Sequence, residues 1–157
     1  MYPQRPQRLP HFSYRGTWRY SLTFCTYRKQ EAFVDPLIVN ALIELLRRSA
    51  QDAQFEVLTC CFMRDHLHLL LQGASRQSYL ISCCRLIRQR LACEYKQRTG
   101  NRLWQPGYYE RVLREEEPTE VVATYILGNP VKEGLAKTFL DYPFSGGTWY
   151  DALASTS

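Results

Sequence analysis

Two hydrophobic periods alternate along the chain. Trp18, Tyr20, Leu22, Phe24 and Thr26 interleave with Arg19, Ser21, Thr23 and Cys25. That period of two predicts a strand. Asp35-Pro36 then supplies an N-cap followed by proline at the first helical position. Ile38, Leu42 and Leu45 follow on one helical face, up to about Ala50. Phe55, Val57, Thr59 and Cys61 alternate again and predict a second strand over 54–63. Residues 65–71, Asp-His-Leu-His-Leu-Leu-Leu, predict a third, with Arg64-Asp65 as the tight connection. A long helix fits 76–98, its buried stripe made by Leu80, Cys84, Ile87, Leu91 and Tyr95, and Thr99-Gly100-Asn101 ends it. Residues 108–114 predict a short strand, and Pro118 opens a last helix running to about Gly128. Asn129-Pro130 is expected to stop it, because a residue before proline avoids the helical region.

The order strand, helix, strand, strand, helix, strand, helix implies an α+β fold. It is one antiparallel sheet with helices packed on it, of the ferredoxin-like kind. A basic arm at 1–15, a domain at 16–145 and a tail at 146–157 are the expected divisions. With 157 residues and a 45% hydrophobic fraction, the chain can bury a core. It has no apolar run near the roughly 20 residues needed to cross a bilayer, and Met1-Tyr2-Pro3-Gln4-Arg5-Pro6 lacks the apolar stretch of a secretion signal. A cytoplasmic protein that does not enter membranes is expected. The cysteines Cys25, Cys60, Cys61, Cys83, Cys84 and Cys93 form no C-x-x-C, which points to reduced, mostly buried thiols.

The net charge of +5 is unevenly spread. Residues 1–30 hold six basic side chains and no acidic one, and residues 76–102 hold seven against the single Glu94. Eight of the fifteen acidic residues fall from Glu110 onward. Such polarity suits a polyanion, since phosphate contacts release counterions. A solvated basic surface has the same pattern.

Two of the three histidines are His66 and His68. On a strand they share a face with Cα atoms roughly 6.5–7 Å apart, close enough for two imidazoles to meet one metal ion. A hydrogen-bonded pair without metal fits the bare spacing too. On the last helix Tyr125 and Asn129 are four apart and share a face, offering a phenol and an amide oxygen to one volume. An amide is a hard oxygen ligand that suits Mg²⁺ or Mn²⁺.

Taken together these pieces resemble the HUH single-tyrosine transposases, and within them the REP-associated branch. The resemblance rests on Met63-Arg64-Asp65-His66-Leu67-His68-Leu69-Leu70-Leu71, on Leu103 to Arg114, and on Tyr125-Ile126 with Asn129-Pro130-Val131-Lys132-Glu133-Gly134-Leu135. It spans about residues 14–145 in the family's order. Arg64 is a departure, since the family usually has proline there; it alters the turn into the metal strand and leaves the ligands in place. The resemblance implies Tyr125 as nucleophile and His66, His68 and Asn129 as ligands of Mg²⁺ or Mn²⁺. It implies cleavage and rejoining of single-stranded or hairpin DNA through a 5′-phosphotyrosine, by a monomer or a homodimer. Arg85, Arg88, Lys96, Arg98 and Arg102 are then candidates to track phosphates, and Trp104, Tyr108 and Tyr109 to stack on bases. Arg5 and Arg8 join Arg15 in an arm that could read bases beside a hairpin. The competing readings are an inactive nucleic-acid-binding module of the same fold and a replication-initiator nickase. A histidine phosphodiesterase fits poorly, because the only other histidine, His11, lies in the arm.

Overall fold

The structure, a computed structural model, describes Leu9 and residues 11–156; Arg5, Arg8 and most of the expected arm lie outside them. The chain runs β1 (Arg19–Cys25), α1 (Pro36–Asp52), β2 (Phe55–Phe62), β3 (His66–Gly73), α2 (Leu80–Thr99) and β4 (Tyr109–Val112). Then come α3 (Thr119–Leu127), a single turn α4 (Asn129–Lys132), β5 (Ser145–Gly146) and α5 (Thr148–Ser155). The strands form one antiparallel sheet ordered β4-β1-β3-β2-β5. Its first four strands and two helices have the ferredoxin-like arrangement that the order of periods predicts.

The central strand is β3, paired along both edges. Leu67, Leu69, Leu70 and Leu71 are all fully buried there. Each such leucine contributes roughly 1.5–3 kcal/mol of burial, which makes β3 a stiff support. The faces of the sheet are identified by side-chain contacts. Phe24 lies under Arg88 of α2, with the guanidinium 5.0 Å from the ring centroid, so Tyr20, Leu22 and Phe24 face α2. Arg19 has the opposite parity. Its guanidinium donates to Thr119 Oγ1 at 2.9 Å and to the carbonyls of Arg114 and Glu117, so Arg19, Ser21 and Thr23 face α3.

Three local differences from the sequence expectation have physical causes. In α1 the buried residues are Val39, Leu42, Leu46, Ser49 and Ala50, so the face is turned by one residue from Ile38, Leu42 and Leu45. In β2 the register shifts between Val57 and Thr59. That bulge puts Val57 opposite Leu71 on the α2 side, but Thr59 and Cys61 opposite Leu70 and His68 on the α3 side. The four alternating residues therefore do not share a face. Finally, Asn129-Pro130 does not halt the helical path. Gly128 keeps right-handed helical angles, and Pro130 sits in the first turn of α4, where its missing N–H costs nothing.

The 146–157 segment, expected as a tail, carries α5, which packs on β2 and α3. Gly147 makes this turn at φ +108°, where a Cβ would fall 2.5 Å from Leu58 O. The buried α2 stripe is the expected one, with Cys83 added. Five cysteines are buried and free, while Cys93 is exposed. Among the described residues no helix is long and apolar enough to cross a membrane.

Candidate active site

Register fixes the histidine pair. His66 lies opposite Cys25 and His68 opposite Thr23, so both imidazoles stand on the α3 face. Each ring is held at its Nδ1. Asp65 Oδ1 is 2.7 Å from His66 Nδ1, and Thr23 Oγ1 is 3.2 Å from His68 Nδ1. In the tautomers that place a proton on each Nδ1, both N–H groups donate to these oxygens. The two Nε2 lone pairs then meet at 3.1 Å. Those lone pairs repel unless a cation lies between them; in the other neutral arrangement Thr23 donates its O–H to His68 Nδ1, and His68 Nε2–H donates to His66 Nε2. Burial, with His66 beside it, lowers the pKa of His68 from 6.5 to about 3, so the ring is neutral near neutral pH and keeps one nitrogen lone pair to offer. The chemistry of this pair suits a divalent cation.

No cluster of three or more His, Cys, Asp or Glu side chains able to hold a metal occurs among the described residues. The pair would need a further donor to hold a cation. Cys61 stands opposite His68, but burial pushes its thiol up to about 11. Asn129 fits better. Its Nδ2 is buried with no hydrogen-bond partner among the described residues, which leaves that end of the amide unsatisfied. Turning that amide over exchanges nitrogen for oxygen at almost no steric change.

Helix α3 packs against β2 and β3. Val122, Ala123, Ile126 and Leu127 are its buried side. Tyr125 is 61% exposed, so its phenol is open to a large substrate. Since the helical path continues through Gly128, Tyr125, Asn129 and Lys132 form one stripe, and Lys132 Nζ lies 4.8 Å from the Tyr125 ring centroid. Arg19 anchors the start of α3 through the bonds described above. Thr23, Arg19 and Lys132 were not legible as site residues, because cross-strand register and the unbroken helix bring them in. Asp65 was legible in principle from its adjacency to His66.

The expected DNA-contacting residues divide into two groups. Arg15, Arg85, Lys96 and Arg102 are exposed, with Arg15 stacked 4.1 Å over Tyr79 and Arg102 4.5 Å over Tyr27. Arg98 is exposed too, in an ion pair with Glu94. Trp104 and Arg88 differ from expectation. Trp104 is only 6% exposed, lies against Phe24 and Phe33, and donates its indole N–H to Arg88 O at 3.0 Å. Arg88 sits over Phe24, Trp104 and Tyr108 and donates to Gln105 O at 2.7 Å. The two side chains tie α2 to the segment before β4. A buried indole has no face to offer a base. Tyr108 is buried against Phe24 for the same reason.

Comparison with known proteins bears on this arrangement. The family model described as "Transposase IS200 like" matches residues 15–129. A REP-associated tyrosine transposase of Escherichia coli K12 is 27% identical over 133 residues, 83% of this chain and 75% of the relative. A protein named as a candidate REP-associated tyrosine transposase in Haemophilus influenzae is 28% identical over 118 residues, 68% of this chain and 67% of the relative. Among solved structures, a REP-associated tyrosine transposase bound to a REP hairpin superposes with a TM-score of 0.74 at 21% identity, covering 96% of this chain and 87% of that one. A candidate transposase of Deinococcus radiodurans R1 superposes at 0.56 with 20% identity, covering 83% and 98%. These two likenesses establish the fold.

Proposed function

Because the chain belongs to the IS200-like transposase family, we propose that it cuts and rejoins single-stranded or hairpin DNA with Tyr125 as the nucleophile. The observation that carries this reading is the pair of Nε2 atoms 3.1 Å apart, on the face where α3 packs. The ligands would be His66, His68 and the Asn129 amide. Mg²⁺ or Mn²⁺ bound there would supply positive charge to the scissile phosphate and orient it.

The chain's own groups do the rest. The Tyr125 phenol oxygen attacks phosphorus, and the bond from phosphorus to the 3′ oxygen breaks. The phenol proton is lost and the departing 3′ oxygen gains one, leaving a 3′-OH and a 5′-phosphotyrosine. The ester conserves the energy of the broken link, so a 3′-OH from another end can reverse the step without ATP. The Lys132 ammonium beside the ring adds positive charge where the phosphate must arrive. Exposed Arg85, Lys96 and Arg102 would take backbone phosphates, and Arg15 lies where the arm joins the domain. The neighbour whose structure was solved bound to a REP hairpin makes REP-type hairpins the first substrates to try.

The test is incubation with Mn²⁺ and a panel of single-stranded REP-type hairpins labelled at either end. Cleavage with a protein-linked 5′ end is expected, and its loss in Tyr125→Phe. An adduct that persists in Tyr125→Phe, or no adduct on any hairpin, refutes the reading.

A further inference from the structure

Between β1 and α1 the chain takes a conformation that its side chains oppose. Arg28 and Lys29 are consecutive, are not glycine, and both have φ of +55°. Left-handed backbone crowds a Cβ against the next carbonyl, so such residues occur singly and rarely. Two in a row persist only where surroundings hold them. Here they do. Thr26 N donates to Asp65 O at 3.0 Å, and Thr26 Oγ1 to Gln30 O at 2.7 Å. Tyr27 N donates to Leu103 O at 2.8 Å, and the Gln30 amide donates to Arg102 O.

The loop stands where the histidine strand begins. Cys25 pairs with His66, and the carbonyl that Thr26 holds belongs to Asp65, the residue that anchors His66. Arg28 and Lys29 are both exposed at this end. The Tyr27 ring has Arg28 at 5.0 Å and Arg102 at 4.5 Å from its centroid.

The geometry points to a phosphate-binding site for single-stranded DNA on the strained loop Tyr27–Lys29, with Arg28 and Arg102 on the Tyr27 ring and Lys29 next in the chain, at the end of β1 where Cys25 pairs with His66. Charge complementarity identifies the ligand as the backbone of the strand that passes the metal site. The inference rests on the proposed DNA-transfer reading and extends it from Arg102 to Arg28 and Lys29, which that reading does not use. Glycine or asparagine would suit these angles better than arginine or lysine.

This yields a clean test, because R28G/K29G removes the charges and relaxes the backbone together. Binding of fluorescein-labelled oligo(dT) is followed by anisotropy across a range of NaCl concentrations, in EDTA to prevent cleavage. Each phosphate contact contributes about 0.7 to the slope of log K against log salt on single strands, so the slope should fall by about 1.4 in the double variant. Its Tm should stay level or rise, and R28K/K29R should keep the wild-type slope. An unchanged slope in R28G/K29G, while wild type binds and forms its Tyr125 adduct, overturns this site alone. A wild-type chain that binds neither oligo(dT) nor hairpin overturns both this inference and the DNA-transfer reading.

Discussion

Asp65 Oδ1 lies 2.7 Å from Nδ1 of His66, so the first residue of the histidine strand is anchored by the one before it. A carboxylate there selects the tautomer with the proton on Nδ1, frees Nε2 and raises its basicity. Asp65→Asn removes the charge and can present an amide N–H where an acceptor is needed. Mn²⁺ affinity by calorimetry should fall about 10- to 100-fold, with little change in the circular dichroism spectrum. Equal affinity in the variant would show that the carboxylate does not orient the ring for metal.

His68 makes the metal-free fold acid-sensitive. Burial is the larger cause, and His66 the smaller, of its fall from 6.5 to about 3. A depressed folded-state pKa contributes stability that is complete above the unfolded value. It is lost as pH falls, since the unfolded chain takes up a proton that the folded chain refuses. The window runs from about pH 6.5 down to about pH 3. At pH 5 the loss is about 2 kcal/mol for this group. Urea midpoints in EDTA should therefore drop between pH 7 and pH 5 by more in wild type than in His68→Leu. Parallel curves for the two proteins would remove His68 as the cause.

Much of this was readable from the sequence, and what was missed has definite causes. The order of the first four strands and the helices along the chain followed from hydrophobic periods with cap and proline signals, and the shared face of His66 and His68 followed from the two-residue period of β3. A bulge at Leu58 leaves no mark in a row of apolar residues, so the faces of Thr59 and Cys61 were not legible. Asn129-Pro130 reads as a stop, but a proline in the first turn of a new helix gives the same dipeptide. Trp104 is as plausible on a surface as in a core, and only packing against Phe24 and Phe33 decides it. Thr23 reaches His68 across 45 residues of sequence, a distance no local pattern spans.

Arg88 and Lys96 occupy the same helix and separate structural from binding charge. The Arg88 guanidinium is half-buried among three rings and donates to Gln105 O. Arg88→Gln should lower stability by about 2 kcal/mol, from the lost cation–π contacts and charged hydrogen bond, and leave the salt dependence of DNA binding unchanged. Lys96 is exposed at the far end of α2, so Lys96→Gln should do the reverse. Its Tm should hold while the salt slope falls by about 0.7. Were Arg88→Gln to flatten the salt slope at constant Tm, the assignment of Arg88 to the core would be wrong.

Asn129 offers a trade between stability and function. A buried Nδ2 without a partner costs the folded state roughly 1–3 kcal/mol of desolvation, a cost that a truncated side chain escapes. Asn129→Ala also places a strong helix former in α4. These gains oppose the small void left by the amide, so metal-free Asn129→Ala should be at least as stable as wild type in urea. If the amide completes the histidine pair as a hard-oxygen ligand, the same variant should bind Mn²⁺ at least about tenfold more weakly and form less Tyr125 adduct. The two measurements decide between roles. A residue kept for packing would lose stability and leave metal affinity intact, whereas a residue kept as a ligand would lose metal affinity and leave stability intact or improved.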